Sequence, residues 1–176
     1  MSETDEEVEQ WVKSHYETPE IPFKSEDWLW ANDWYDGPLS GIMTYRGQLL
    51  WFDWIDETDY EVENYDGQHW FSPRVYGVRN LSVTQVTNEI EQRYHCRKLF
   101  GNFGDLNIDD EAMDKLLIHF SIEPAKIETK EEYEAAYPGD FDNETFFNYG
   151  YRQNRIVGWF VERYNLEGKT RPVSDD

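Results

Sequence analysis

The chain has 176 residues, 39% hydrophobic and 17% aromatic, enough for one folded domain and too apolar for wholesale disorder. It carries 37 acidic and 16 basic residues, a formal net charge of −21, which repels nucleic acid and anionic membranes and attracts basic surfaces. No run is apolar enough to span a bilayer, and the single cysteine, Cys96, excludes an internal disulfide.

The opening "MSETDEEVEQ" is acidic where a secretory leader is basic and then apolar; with the lone cysteine, this points to the cytoplasm. Residues 3 to 16 are expected to form an N-terminal amphipathic helix. Thr4 and Glu7 suit a capping box, and Val8, Trp11, Val12 and His15 fall at helical spacing. Pro19 and Pro22 end that helix and begin an extended connector. The stretch "DWLWANDWYDGP" is dense in Trp and closes on a turn at Asp36-Gly37-Pro38.

"SGIMTY" and "QLLWFDWI" flank Arg46-Gly47 and predict a β-hairpin. "DETDYEVENY" alternates with period two and predicts a third strand, with Asp59, Glu61 and Glu63 on one face. Asp66-Gly67 leads into a fourth strand, "HWFSPRVYGV", which Pro73 interrupts. Ser82 with Gln85 predicts a helix over about 83 to 99, with Val83, Val86, Ile90 and Tyr94 inward. Asp109 caps a second over about 110 to 120 that buries Met113, Leu116, Leu117 and Phe120. Thr129 with Glu132 opens a short third helix, closed by Pro138-Gly139. "RIVGWFVERY" is expected to be a strand apolar on both faces, which suits a central or returning position in the sheet. The expected fold is α+β: an antiparallel sheet of about four to five strands with helices packed on one face, a single domain over 1–170. Residues 171–176 are a frayed tail.

Standard catalytic and metal motifs fail residue by residue. "DLNIDDEAMDKL" begins like a calcium loop, but Asp110 stands where Gly is needed and Leu116 where Glu is needed. The histidines, His15, His69, His95 and His119, are scattered, and adjacent His95-Cys96 diverge on a helix. "GPLSG" lacks the glycine spacing of a nucleophile elbow, and "FGNFGDL" leads into acids that would repel phosphate. No catalytic residue, metal ligand or cofactor is assigned. Asp33, Asp36, Asp53 and Asp56 among Trp30, Trp34, Trp51 and Trp54 leave a small carboxylate enzyme with an aromatic-lined cleft as one alternative. A structural or regulatory subunit of a complex is another.

The leading expectation is recognition of a basic protein surface, with no direct nucleic-acid binding and no membrane. Residues 47 to 73 hold seven acids and no base, and 131 to 151 hold six acids and no base. Residues 71 to 100 hold two acids and five bases: Arg74, Arg79, Arg93, Arg97 and Lys98. The expected partner-facing residues are Asp53, Asp56, Glu57, Asp59, Glu61, Glu63 and Asp66, with Trp51, Trp54, Tyr60 and Tyr65 as anchors. On a strand the carboxylates of Asp59, Glu61 and Glu63 repeat every ~6.7 Å, a line of charge suited to a nucleic-acid-binding groove. A second acidic patch runs from Glu131 to Glu144. In size and acidity the chain is similar to DNA-mimic antagonists and to immunity proteins that block nuclease toxins. That resemblance is compositional, and no motif assigns the chain to either group.

Overall fold

The computed structural model describes residues 10, 13, 17–22, 24–34, 38–54, 74–101, 104–137, 151 and 153–162. Their architecture is α+β: one five-stranded antiparallel sheet and three α-helices. The strands are β1 (Trp28–Trp34), β2 (Pro38–Tyr45), β3 (Gln48–Trp54), β4 (Arg74–Arg79) and β5 (Ile156–Glu162), adjacent in chain order. The helices are α1 (Val83–Phe100), α2 (Asp110–His119) and α3 (Lys130–Ala136). No helix among the described residues is long and apolar enough to cross a membrane.

Local chemistry sets most of these boundaries. Tyr45 pairs with Gln48 across Arg46-Gly47, whose φ values of 51° and 77° are the two positive values that a tight hairpin turn requires. Ser82 and Gln85 close a reciprocal capping box on α1, and Thr129 and Glu132 do the same on α3. Asp109 accepts the Ala112 N–H and caps α2.

The sheet is buried on both faces. Trp28, Met43, Leu50, Phe52, Tyr76, Val78 and Phe160 line one side, joined by Ile21. There Trp28 stacks on Phe52 at 5.1 Å and Tyr76 on Phe160 at 5.0 Å. Trp30, Ile42 and Trp51 line the other side and meet Val86 and Ile90 of α1 and Met113 of α2. Leu116, Leu117, Phe120 and Tyr94 pack half-buried around that cluster. Val83, expected to face inward, is 72% exposed at the first position of α1.

β1 occupies the Trp-dense stretch to which the sequence pattern assigns no element. Trp28 and Trp30 would share a face in a regular strand. A register shift between them instead sends Trp28 to one cluster and Trp30 to the other. Gly41 on β2 permits the close approach, because a Cβ there would lie 2.1 Å from the Trp30 carbonyl oxygen. Both sheet edges carry extra backbone pairing. The Ala31 N–H donates to Gly104 O at 2.7 Å beside β1, and the Ile21 N–H donates to Trp159 O at 2.7 Å beside β5.

Several expectations fall outside the described residues. They include the strand over "DETDYEVENY", the first part of "HWFSPRVYGV", Pro138-Gly139 and the 171–176 tail. The N-terminal helix is not shown, since only Gln10 and Lys13 of its span are described.

Candidate functional site

The helix-facing side of the sheet carries a layer of paired charges. Asp53 projects into it from the middle of β3, opposite Ser40 on β2 and Gly77 on β4. Arg79 Nε donates to Asp53 Oδ2 at 2.9 Å, and Trp51 Nε1 donates to the same oxygen at 3.3 Å. Arg79 Nη1 continues to the Asn154 carbonyl at 3.0 Å, tying β4 to the turn before β5.

α1 supplies the second part of the layer. Glu89 accepts from Asn32 Nδ2 at 2.9 Å and from the Tyr151 hydroxyl at 2.5 Å. Tyr151 also sets its ring edge-on to Trp51 at 4.7 Å. Burial first, and then the Glu89 carboxylate, push the Tyr151 phenol far above its ordinary range, so it stays a donor. One turn further along, Arg93 Nη2 donates to Ala31 O at 2.9 Å and Asn32 Oδ1 at 3.0 Å, with its guanidinium over the Trp30 ring. Arg93 and Arg97 both reach Asp105, and Arg97 also pairs with Asp110 at the start of α2.

Arg79 is therefore engaged by Asp53, Arg93 by Asp105, and Arg97 by Asp105 and Asp110, while Glu89 is held by the neutral Asn32 and Tyr151. The basic stretch at 71 to 100 is largely consumed here, leaving the acid excess of the chain elsewhere.

Of the sequence-predicted partner residues, Asp53 and Trp51 are interior, only 5% and 4% exposed. Trp54 is half-buried against the aromatic cluster of the opposite face. Asp56, Glu57, Asp59, Tyr60, Glu61, Glu63, Tyr65 and Asp66 lie outside the described residues. For the cleft-enzyme alternative, Asp53 is engaged by Arg79, while Asp36, Asp56 and the Asp33 side chain lie outside the described residues. Among the described residues, no three His, Cys, Asp or Glu side chains gather into a metal site.

The exposed carboxylates of α2, α3 and the segment between them divide by task. Asp109 caps α2, Asp110 meets Arg97, Glu111 pairs with Lys115 at 3.3 Å and Glu132 closes the α3 capping box. Backbone N–H groups of Glu128 and Thr129 hold the Glu132 carboxyl below its usual range. Asp114, Glu123, Glu128, Glu131 and Glu134 are exposed, and their carboxylates have no hydrogen bond or ion pair among the described residues. These five are the candidate partner-facing set in the described structure.

No protein family, curated protein or solved structure matches the chain. Glu131 and Glu134 fall in the acidic patch expected from the sequence, whereas Asp114, Glu123 and Glu128 do not. Lys115, Lys126 and Lys130 interrupt the acids locally and hide the excess from a search for base-free runs.

Proposed function

We propose that this protein is an acidic binding protein of the cytoplasm that occupies a basic surface on a protein partner, acting as an inhibitor or antagonist. The basic surface it fits is one that otherwise meets nucleic acid, so the chain works as a mimic and does not bind nucleic acid itself. One observation carries this reading: the inward arginines are already engaged by Asp53, Asp105 and Asp110, while Asp114, Glu123, Glu128, Glu131 and Glu134 remain solvated with no internal task. Carboxylates of that kind steer encounter with a positive surface. Asp56, Glu57, Asp59, Glu61, Glu63 and Asp66 extend the acidic surface, with Trp54, Tyr60 and Tyr65 as anchors. Asp53 and Trp51, being interior, take no part in the contact.

The test is capture of the partner on the immobilised full chain, followed by association kinetics over a salt series. Two charge-reversed variants are compared, Glu131→Lys with Glu134→Lys, and Asp59→Lys with Glu61→Lys and Glu63→Lys. Association at low salt should slow on the order of tenfold in at least one variant, and its salt slope should flatten. A partner that binds both variants at the parental rate, or binds independently of salt, overturns the proposal.

A further inference from the structure

α3 is held against α1 by a small joint. Tyr133 is buried, with its ring edge-on to Phe100 at 5.3 Å and its hydroxyl accepting from Gln92 Nε2 at 3.2 Å. Tyr137, just past the end of α3, faces His95 with ring centroids 6.4 Å apart. Nine residues beyond Val86, His95 lies about 180° around α1 from its sheet-facing side. It is nonetheless only 2% exposed, and neither ring nitrogen has a hydrogen-bond partner among the described residues. Glu91 Oε2 stands 3.6 Å from His95 Nε2, outside hydrogen-bond range. That same oxygen accepts the Ala125 N–H at 2.8 Å, which tethers the segment joining α2 to α3.

We propose that the α1–α3 joint is a pH-sensitive latch, held shut by neutral His95 and released when that imidazole takes a proton. A neutral ring suits a site walled by Tyr94 and Tyr137, whereas an imidazolium brings two N–H donors that both need acceptors. The charged groups acting on His95 from its own helix are Glu91, which favours protonation, and Lys98, which opposes it. Tyr137 approaches from the α3 side, and its phenol, pushed up to about 12 mainly by burial, stays neutral throughout. From the 122–128 segment the Ala125 amide donates to Glu91 and not to the imidazole, while Glu123, Lys126 and Glu128 are exposed. Burial outweighs Glu91, so the closed joint lowers the imidazole from its ordinary value of 6.5.

The direction of the switch follows. The closed joint binds the proton more weakly than the released one, so closure is fully stable above pH 6.5 and weakens as pH falls below it. The latch rests on these contacts alone and is independent of whether the α3 carboxylates meet a partner.

Nuclear magnetic resonance of the full chain between about pH 7.5 and pH 5 tests it. His95 should titrate below 6.5, and the Ala125 amide should shift with the same midpoint. Amide protection at Tyr133 and Tyr137 should fall by about tenfold for each unit by which the midpoint is depressed. In His95→Gln the Ala125 and α3 responses should both vanish. Unchanged α3 protection, a His95 midpoint at or above 6.5, or the same response in His95→Gln overturns the latch. Should that variant fail to fold, Glu91→Gln decides: loss of the favouring charge must lower the His95 midpoint further, and a rise overturns the latch.

Discussion

Asp53→Ala separates an interior role for this carboxylate from a partner-facing one. The substitution removes the acceptor of Arg79 Nε and of Trp51 Nε1, at 2.9 and 3.3 Å. It leaves a guanidinium whose side chain is only 11% exposed. Deleting one member of a buried ion pair costs about 3–5 kcal/mol, whereas removing a surface carboxylate costs about 0.5 kcal/mol or less. Arg79 keeps the Asn154 carbonyl, which places the expected loss near the lower end, about 3 kcal/mol, or roughly 150-fold in the folding equilibrium. Urea unfolding followed by tryptophan fluorescence measures it directly. With a slope of about 2 kcal/mol/M, the midpoint should fall by about 1.5 M at unchanged slope. Replacing both partners, Asp53→Leu with Arg79→Leu, should recover much of the loss, because no uncompensated charge remains. A loss below about 1 kcal/mol in Asp53→Ala would refute the interior assignment and return Asp53 to the surface.

Tyr151→Phe keeps the ring against Trp51 but deletes the hydroxyl that Glu89 accepts from; thermal unfolding should show a loss of about 1–3 kcal/mol, and a neutral result would mean that Glu89 is satisfied without it. Ser82→Ala opens the α1 capping box and should cost about 1 kcal/mol by urea titration, with Ser82→Asp restoring most of it.

What could be seen in the sequence was what is local in the chain. Ser82 with Gln85, Asp109 with Ala112 and Thr129 with Glu132 each lie three residues apart, so the helix starts were legible. The hairpin at Arg46-Gly47 was legible for the same reason. β1 was not, because a bulge separates Trp28 from Trp30 and breaks the period on which strand prediction relies. The charged layer was hidden more deeply. Asp53 sits within an acidic run, and its partner Arg79 is 26 residues away. Glu89 finds Asn32 at a separation of 57 residues and Tyr151 at 62. Such pairings emerge only once the sheet and α1 stack, so charge patterning along the chain could not show that Asp53 is interior or that Arg79, Arg93 and Arg97 turn inward to meet acids.

The pairing across that layer bears on why the chain is so acidic. A net charge of −21 opposes compaction through self-repulsion, and the interior arginines that could relieve it are already engaged by Asp53, Asp105 and Asp110. The stacked aromatic core on the opposite face of the sheet contributes apolar burial that offsets this repulsion. Capping employs Asp109 and Glu132, and ion pairs employ Asp110 and Glu111, so the fold has a use for only part of the exposed acid. Asp114, Glu123, Glu128, Glu131 and Glu134 add repulsion without a compensating internal contact. Salt distinguishes what they do add: screening relieves repulsion within the folded chain, yet weakens attraction to a basic partner. Carboxylates kept only for solubility would produce the first effect alone, whereas carboxylates that meet a basic surface must produce both.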